Sequence, residues 1–228
     1  MKTLDTLHAW PLWHLITRLG EAEIVLPVAL LGALALALRP NRRRRALGWL
    51  LFIGISAAIT TVSKVAFIGW GLGWATINFT GVSGHAMFAT AIYPLLLRTL
   101  LGGNTQPRQR LALALGCALA LLVGVSRVIV GAHAWSEVLA GWLLGAAATC
   151  AVLALVETED FAWRPLWPFL PVMPIMSIAF VAWMSITLVH MRASQTHSLV
   201  TCLALKLSGH EQPYTRTDLL LHLRTSRP

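Results

Sequence analysis

Residues 126–137 place Arg127, His133 and Glu137 between two long apolar runs. Charge beside a membrane-length apolar segment is costly, and it usually faces a polar cavity or marks a working site. His133 and Glu137 lie four residues apart at the start of a predicted helix, so they share a face. Glu137 can therefore hold one ring nitrogen of His133 and leave the other free to attack or to take a proton. Because the guanidinium of Arg127 suits phosphate oxygens, this stretch predicts a phosphate-ester site.

A second cluster, Ser83, Gly84 and His85, stands at the start of another predicted helix. Backbone N–H groups and the helix dipole form an anion site there, and a protonated His85 can donate to a leaving oxygen. Lys64 adds a positive charge from the end of the preceding helix. Two histidines with opposite duties predict a phosphohistidine mechanism and a bell-shaped pH profile. Cationic side chains stabilise the phosphate, so the scheme requires no metal and no cofactor.

The composition predicts a membrane protein. Hydrophobic residues make up 57% of the chain and charged residues only 12%, whereas about a quarter of the residues in soluble domains are charged. The net charge of +9 comes from basic clusters between apolar runs, a pattern typical of membrane topology and not of nucleic-acid binding. The three cysteines show neither metal-ligand spacing nor a disulfide framework.

We expect an all-α, polytopic membrane protein with about six transmembrane helices. The predicted spans are 23–38, 46–68, 86–101, 111–125, 134–156 and 171–190. The basic run 39–45 places the first loop in the cytoplasm, and Arg98, Arg108 and Arg110 place the third loop there as well. This topology brings Lys64, His85 and residues 126–137 to one face of the membrane, the outer one.

Three regions follow from this pattern. Residues 1–21 form an amphipathic segment, which we interpret either as interfacial or as a lead-in to the first span. Residues 22–190 form the membrane domain, with a core at 46–156. Residues 191–228 form a polar, basic tail with no assigned fold. This tail contains a second Ser-Gly-His triplet at 208–210, which lacks partner motifs and is interpreted as chance.

The combined motifs resemble those of the type-2 phosphatidic acid phosphatase superfamily. Ser126-Arg127, five residues, His133, three residues and an acid resemble its third signature motif. Ser83-Gly84-His85 resembles the core of the second motif, and Lys64 the opening lysine of the first. The resemblance covers about residues 22–156. It implies these roles: nucleophile, His133; general acid, His85; orienting carboxylate, Glu137; and phosphate-binding groups, Lys64, Arg127 and the Ser83-Gly84 backbone.

The chain departs from the family pattern in three ways. Gly71 and Leu72 stand where the family usually has an arginine-proline pair, seven residues after Lys64. Val82 replaces the usual proline, and Glu137 replaces the usual aspartate. The lost arginine removes one phosphate-binding cation. We interpret the chain as a divergent subfamily with altered phosphate binding, or as a weakened or inactive member.

The resemblance implies hydrolysis of a lipid phosphate or pyrophosphate monoester at the outer membrane face. Examples are phosphatidate, phosphatidylglycerol phosphate and undecaprenyl pyrophosphate. It also implies a bacterial inner membrane, with the site facing the periplasm, and membrane lipids as partners. A lipid phosphotransferase with the same site and a non-catalytic headgroup-binding or transport protein stay open as alternatives. The sequence assigns neither the particular lipid nor the oligomeric state.

Overall fold

The computed structural model describes residues 11–38, 42–102, 105–156 and 195–225, and these confirm the all-α fold class. A short 3-10 turn, Ala75–Ile77, lies between the third and fourth helices. The helices are α1 Pro11–Arg18, α2 Ala22–Ala37, α3 Arg43–Trp70, α4 Gly84–Leu101, α5 Gln106–Ile129, α6 Trp135–Val156, α7 Gln195–Ser208 and α8 Arg216–Thr225.

Within those ranges, α3, α5 and α6 are long and apolar enough to cross a membrane. Helices α1 and α2 pass the same test together, but they are bent by 44° at the break between them. Rows of leucines on the long helices are exposed, as expected of surfaces that face lipid chains. Helix α4, at the position of the predicted third span 86–101, does not pass this test. The predicted sixth span, 171–190, lies outside the described residues, so the number of six stays a prediction.

Helix α4 forms the centre of the bundle. Ala86, Met87 and Ile92 are fully buried along it. Glycines on its neighbours allow close approach: a Cβ at Gly141 of α6 would lie 2.6 Å from the Ser83 carbonyl oxygen, and one at Gly145 would lie 2.5 Å from that of Met87. Small residues at such interfaces let helix backbones pack closely in membranes. This contact fixes the start of α4 against the start of α6.

The loop between α3 and α4 is held on both sides. Gly71 ends α3 in the left-handed conformation, with φ 69°. Further along, the Val82 N–H donates to Ser63 Oγ of α3 at 3.1 Å, and the Ser83 N–H donates to the Glu137 carbonyl of α6 at 3.0 Å. The residues that open α4 therefore have a fixed position relative to both neighbouring helices.

Both terminal segments dock on the same end of the bundle. Helix α1 packs on α5, and α7 packs on α3. The C-terminal segment, residues 195–225, has the two helices that the sequence left unassigned. His210 Nδ1 donates to the Gly69 carbonyl at 2.7 Å, and the Tyr214 N–H donates to the Ile68 carbonyl at 2.9 Å. The second Ser-Gly-His triplet thus attaches the C-terminal segment to the end of α3.

Candidate active site

His133 and Glu137 contact each other directly. His133 lies in the turn after α5, where Gly131 has φ 71°, and Glu137 lies in the first turn of α6. His133 Nδ1 is 2.7 Å from Glu137 Oε2, and the side chains are 13% and 0% exposed, respectively. Across the described ranges, no protein group bonds the other ring nitrogen, Nε2. Because Nδ1 faces Glu137, Nε2 is the ring nitrogen that can contact a substrate.

Glu137 is the most heavily hydrogen-bonded side chain of this region. Its Oε2 also accepts from the Ala134 N–H at 3.0 Å. Its Oε1 accepts from the Thr80 N–H at 2.8 Å and from the Thr80 hydroxyl. Arg216 Nη2 donates to Oε1 at 2.8 Å and to Oε2 at 2.7 Å. A buried carboxylate is tolerated when it is paired and its lone pairs are satisfied, and Glu137 meets both conditions.

The surroundings of His133 favour its neutral form. Burial lowers the pKa of His133 below its ordinary value of 6.5. The hydrogen bond to Glu137 raises this pKa, and the positive charges of Lys64 and Arg127 lower it again, with a net result below the ordinary value. The neutral imidazole is therefore favoured, and this is the form that can attack or accept a proton.

Lys64 and His85 meet at the start of α4. The Lys64 ammonium lies 4.0 Å from the position that a Cβ of Gly84 would take, directly beside the positive end of the α4 dipole. Gly81, with φ 139°, allows the stem of Lys64 to pack against the loop. His85 follows Gly84. Burial, and then the charges of Arg127, His133 and Lys64, lower the pKa of His85 well below its ordinary value of 6.5, which favours the neutral ring. The second predicted cluster therefore shares one site with residues 126–137.

Two buried polar groups of this site have hydrogen-bonding capacity to spare. Ser83 Oγ and Arg127 Nε are among nine buried side-chain atoms that have no hydrogen-bond partner within the described residues, and buried polar groups normally have one. The expectation that the Ser83 backbone binds phosphate is wrong for its N–H, because this group donates to the Glu137 carbonyl at 3.0 Å. The hydroxyl of Ser83 is the group that can bind a ligand. Arg127 is held in place by its Nη1, which donates to Thr17 Oγ1 at 2.9 Å.

The structure thus brings together every residue that the sequence analysis nominated, from four separate elements. Gly71, which stands where the family usually has the first-motif arginine, is covered by another part of the chain. A Cβ at Gly71 would lie 3.0 Å from the ring of Tyr214, so the C-terminal segment covers this place. Sequence reasoning missed Thr17, Thr80 and Arg216, because each comes from a segment without a recognisable motif.

Comparisons with known proteins assign the chain to a family. Residues 67–161 match the model of the PAP2 superfamily. A Klebsiella pneumoniae protein, named "Uncharacterized 22.5 kDa protein in cps region", is 35% identical over 209 residues, which cover 91% of this chain and 97% of the relative. The chain belongs to the PAP2 superfamily. The resemblance to type-2 phosphatidic acid phosphatases is therefore confirmed.

A solved PAP2 structure shares the fold. It is the crystal structure described as the first transmembrane PAP2 type phosphatidylglycerolphosphate phosphatase from Bacillus subtilis. The TM-score is 0.53 at 24% sequence identity, and the match covers 67% of this chain and 79% of the other. Together with the apolar helices, this match identifies the PAP2 protein as an integral membrane protein.

Proposed function

We propose that this PAP2 protein hydrolyses a lipid phosphate or pyrophosphate monoester through a phosphohistidine on His133. The observation that carries the proposal is the 2.7 Å contact between His133 Nδ1 and Glu137 Oε2. It fixes the tautomer and leaves Nε2 unprotonated, beside a second histidine and two cationic side chains.

The reaction proceeds in two steps on the histidine pair. Nε2 of His133 attacks phosphorus, and the bond from phosphorus to the leaving oxygen breaks as His85 transfers its proton to that oxygen. His85 then takes a proton from water, whose oxygen attacks phosphorus. The P–N bond breaks, its electron pair returns to Nε2, and phosphate is released.

The surrounding groups stabilise the charge on the transferred phosphoryl group. Lys64 and Arg127 supply positive charge, and the Ser83 hydroxyl supplies a neutral donor. Glu137 stabilises the cationic imidazole that forms when His133 bonds phosphorus. These side chains provide the stabilisation that the scheme needs, so we propose a mechanism without a metal or a cofactor.

A lipid substrate at the outer membrane face agrees with the placement of the site. Trp70, Trp74 and Trp135 are exposed at the same end of the bundle, and tryptophan is favoured at membrane interfaces. Exposed basic residues, Arg43 and Arg108 among them, begin α3 and α5 at the opposite end. Basic ends are typical of the cytoplasmic side. We therefore propose a bacterial inner membrane location with the site facing the periplasm.

The first experiment measures phosphate release by the full-length protein in detergent micelles. The substrates are phosphatidate, phosphatidylglycerol phosphate and undecaprenyl pyrophosphate. His133→Ala is expected to lower the rate by about 10³-fold or more, because it removes the nucleophile. His14→Ala, an exposed histidine of α1, is the control and should retain the parental rate. Unchanged release by His133→Ala, or no release by the parent from any of the lipids, would contradict the proposal.

Two further measurements test the steps. A phosphate label should remain on the denatured parent protein after rapid base quenching and be absent from His133→Ala. The loss caused by His85→Ala should be smaller for an aryl phosphate than for a lipid phosphate, because a good leaving group needs less protonation. Transfer of the label to an added acceptor lipid, without free phosphate, would instead assign a phosphotransferase.

A further inference from the structure

The C-terminal helix α8 reaches the active site through its first residue. Arg216 Nη2 lies 2.8 Å from Glu137 Oε1 and 2.7 Å from Oε2, and 3.4 Å from Thr80 Oγ1. The arginine and the glutamate are 79 residues apart in the sequence. Glu137, whose carboxylate holds His133, is therefore also bound by a guanidinium that lies outside the three motifs shared with the family.

The start of α8 is itself fixed. Thr215 precedes the helix, and both its N–H and its hydroxyl donate to Asp218 Oδ2, at 2.9 Å and 2.7 Å. In return, the Asp218 N–H donates to Thr215 Oγ1 at 3.4 Å, which completes a capping box. The preceding residue, Tyr214, is tied to the end of α3 through the Ile68 carbonyl. Arg216 thus extends from an anchored backbone and not from a free end.

Gly71 connects this contact with the departure in the first motif. Its φ of 69° is the left-handed conformation, which is strained for any side chain with a Cβ. The ring of Tyr214 occupies the space beside it, with Cδ1 at 3.0 Å from the position of a Cβ. An arginine at position 71 would displace Tyr214, so the same glycine that removes one guanidinium permits the docking that brings in another.

We propose that Arg216 is a positioning residue of the active site, which fixes Glu137 and through it aims His133. The inference rests on the proposed function of His133 as the nucleophile. Without Arg216, the fully buried Glu137 would keep the neutral donors Thr80, Ala134 and His133 but lose its only permanently charged donor among the described residues. The orientation of its carboxylate would then be less well fixed. Its negative charge, no longer neutralised by Arg216, would also stabilise the protonated imidazole of His133 more strongly.

The charges around His133 determine the sign of the expected change. The charged and titratable groups that face it are Glu137 of α6, Lys64 of α3, Arg127 of α5 and His85 of α4. Arg216 neutralises the one negative member of this set. Its removal favours the protonated imidazole, so the pKa of His133 rises and the acidic limb of the pH profile moves to higher pH.

The test compares Arg216→Gln with Arg216→Lys and with Lys206→Gln. Lys206 is an exposed residue of α7, so its variant makes the same charge change in the same segment. Arg216→Gln is expected to lower kcat by about 10- to 100-fold, as for other residues that orient an active group through a neighbour. KM should change little, Arg216→Lys should restore part of kcat, and Lys206→Gln should match the parent. Parental kcat in Arg216→Gln, or a rise in KM alone, would overturn the positioning role.

A second readout does not depend on turnover. NMR titration of the histidine side chains in the full-length protein reports the pKa of His133 directly, and Arg216→Gln should raise it. Gly71→Ala perturbs the same contact from a distance, because it displaces Tyr214, and should raise the same pKa. If neither variant shifts it, the inference fails even when the parent is an active phosphatase. If the parent is inactive on every lipid but the shift is seen, the proposed function fails and the positioning role stands.

Discussion

Replacing Glu137 by glutamine tests the reasoning about the site most directly. The two side chains have nearly the same size, so the change removes charge and acceptor capacity without opening a cavity. Glu137 Oε2 accepts from His133 at 2.7 Å and from Ala134 at 3.0 Å, while Oε1 accepts from Thr80 at 2.8 Å. All of these partners donate, and an amide has one oxygen and one NH₂ group. The NH₂ group of the glutamine must therefore point at a group that also donates, either His133 and Ala134 or Thr80.

The consequence depends on which side receives the NH₂ group. If it faces His133, then Nδ1 must accept and the ring proton moves to Nε2, the attacking atom. If it faces Thr80, that N–H loses its acceptor and the carboxamide no longer neutralises Arg216. A comparable carboxylate-to-amide change in the serine-protease triad lowers kcat about 10⁴-fold through the wrong tautomer. We expect a loss of about 10³- to 10⁴-fold here, which corresponds to about 4–5.5 kcal/mol in the barrier.

The assay is kcat for phosphate release, together with thermal unfolding in the same detergent. Glu137→Asp is the matched control, because it keeps the charge and the acceptor pattern but shortens the reach. It should be more active than Glu137→Gln although it removes a methylene from a buried position. A folded Glu137→Gln with kcat within about 10-fold of the parent would refute the tautomer argument, and so would an aspartate variant less active than the glutamine one.

Three further outcomes follow from the same geometry. Because burial holds the pKa of His133 below 6.5 and protonation removes its nucleophilic form, the acidic limb of kcat/KM should fall below pH 6.5; a limb at or above that value would contradict this. Thr17→Val removes the hydroxyl that accepts from Arg127 Nη1. Inhibition by orthovanadate, a phosphate analogue, should become about 2- to 10-fold weaker, in line with the loss of one hydrogen bond of about 1 kcal/mol. Unchanged inhibition would show that Thr17 does not hold Arg127. Gly141→Leu places a side chain where a Cβ already lies 2.6 Å from the Ser83 carbonyl, so thermal unfolding should show a strongly destabilised protein, whereas a parental melting temperature would show that α4 and α6 separate easily.

The membrane helices were largely predictable because apolar runs determine them. The span expected at 46–68 lies within α3, Arg43–Trp70, and the span expected at 111–125 lies within α5, Gln106–Ile129. Both helices extend beyond the apolar core because polar and basic residues continue the hydrogen-bonded ladder past the hydrocarbon region. The first predicted span corresponds to α2, Ala22–Ala37, but hydropathy gave no sign of the bend of 44° between α1 and α2.

The local part of the site was predictable for a similar reason. The His133–Glu137 contact follows from helical spacing, and sidedness alone brought Lys64 and His85 to the same end. The contacts that hold this set in place are long-range. Thr80 and Glu137 are 57 residues apart, and Thr17 and Arg127 are 110 apart. Each depends on how helices pack, which hydropathy and motif spacing do not encode.

The C-terminal segment provides a contact that motif reasoning does not reveal. Gly71 indicates a lost cation when the first motif is compared position by position, and this suggested altered phosphate binding or a weakened site. In three dimensions the left-handed Gly71 is what allows Tyr214 to pack against the end of α3. That contact places Arg216 on Glu137. A motif describes residue types at short sequence spacings, whereas the electrostatic effect of a guanidinium depends on its distance from other charges in the folded protein. The glycine at position 71 therefore both removes a guanidinium from the first motif and leaves room for Tyr214, next to which Arg216 reaches Glu137.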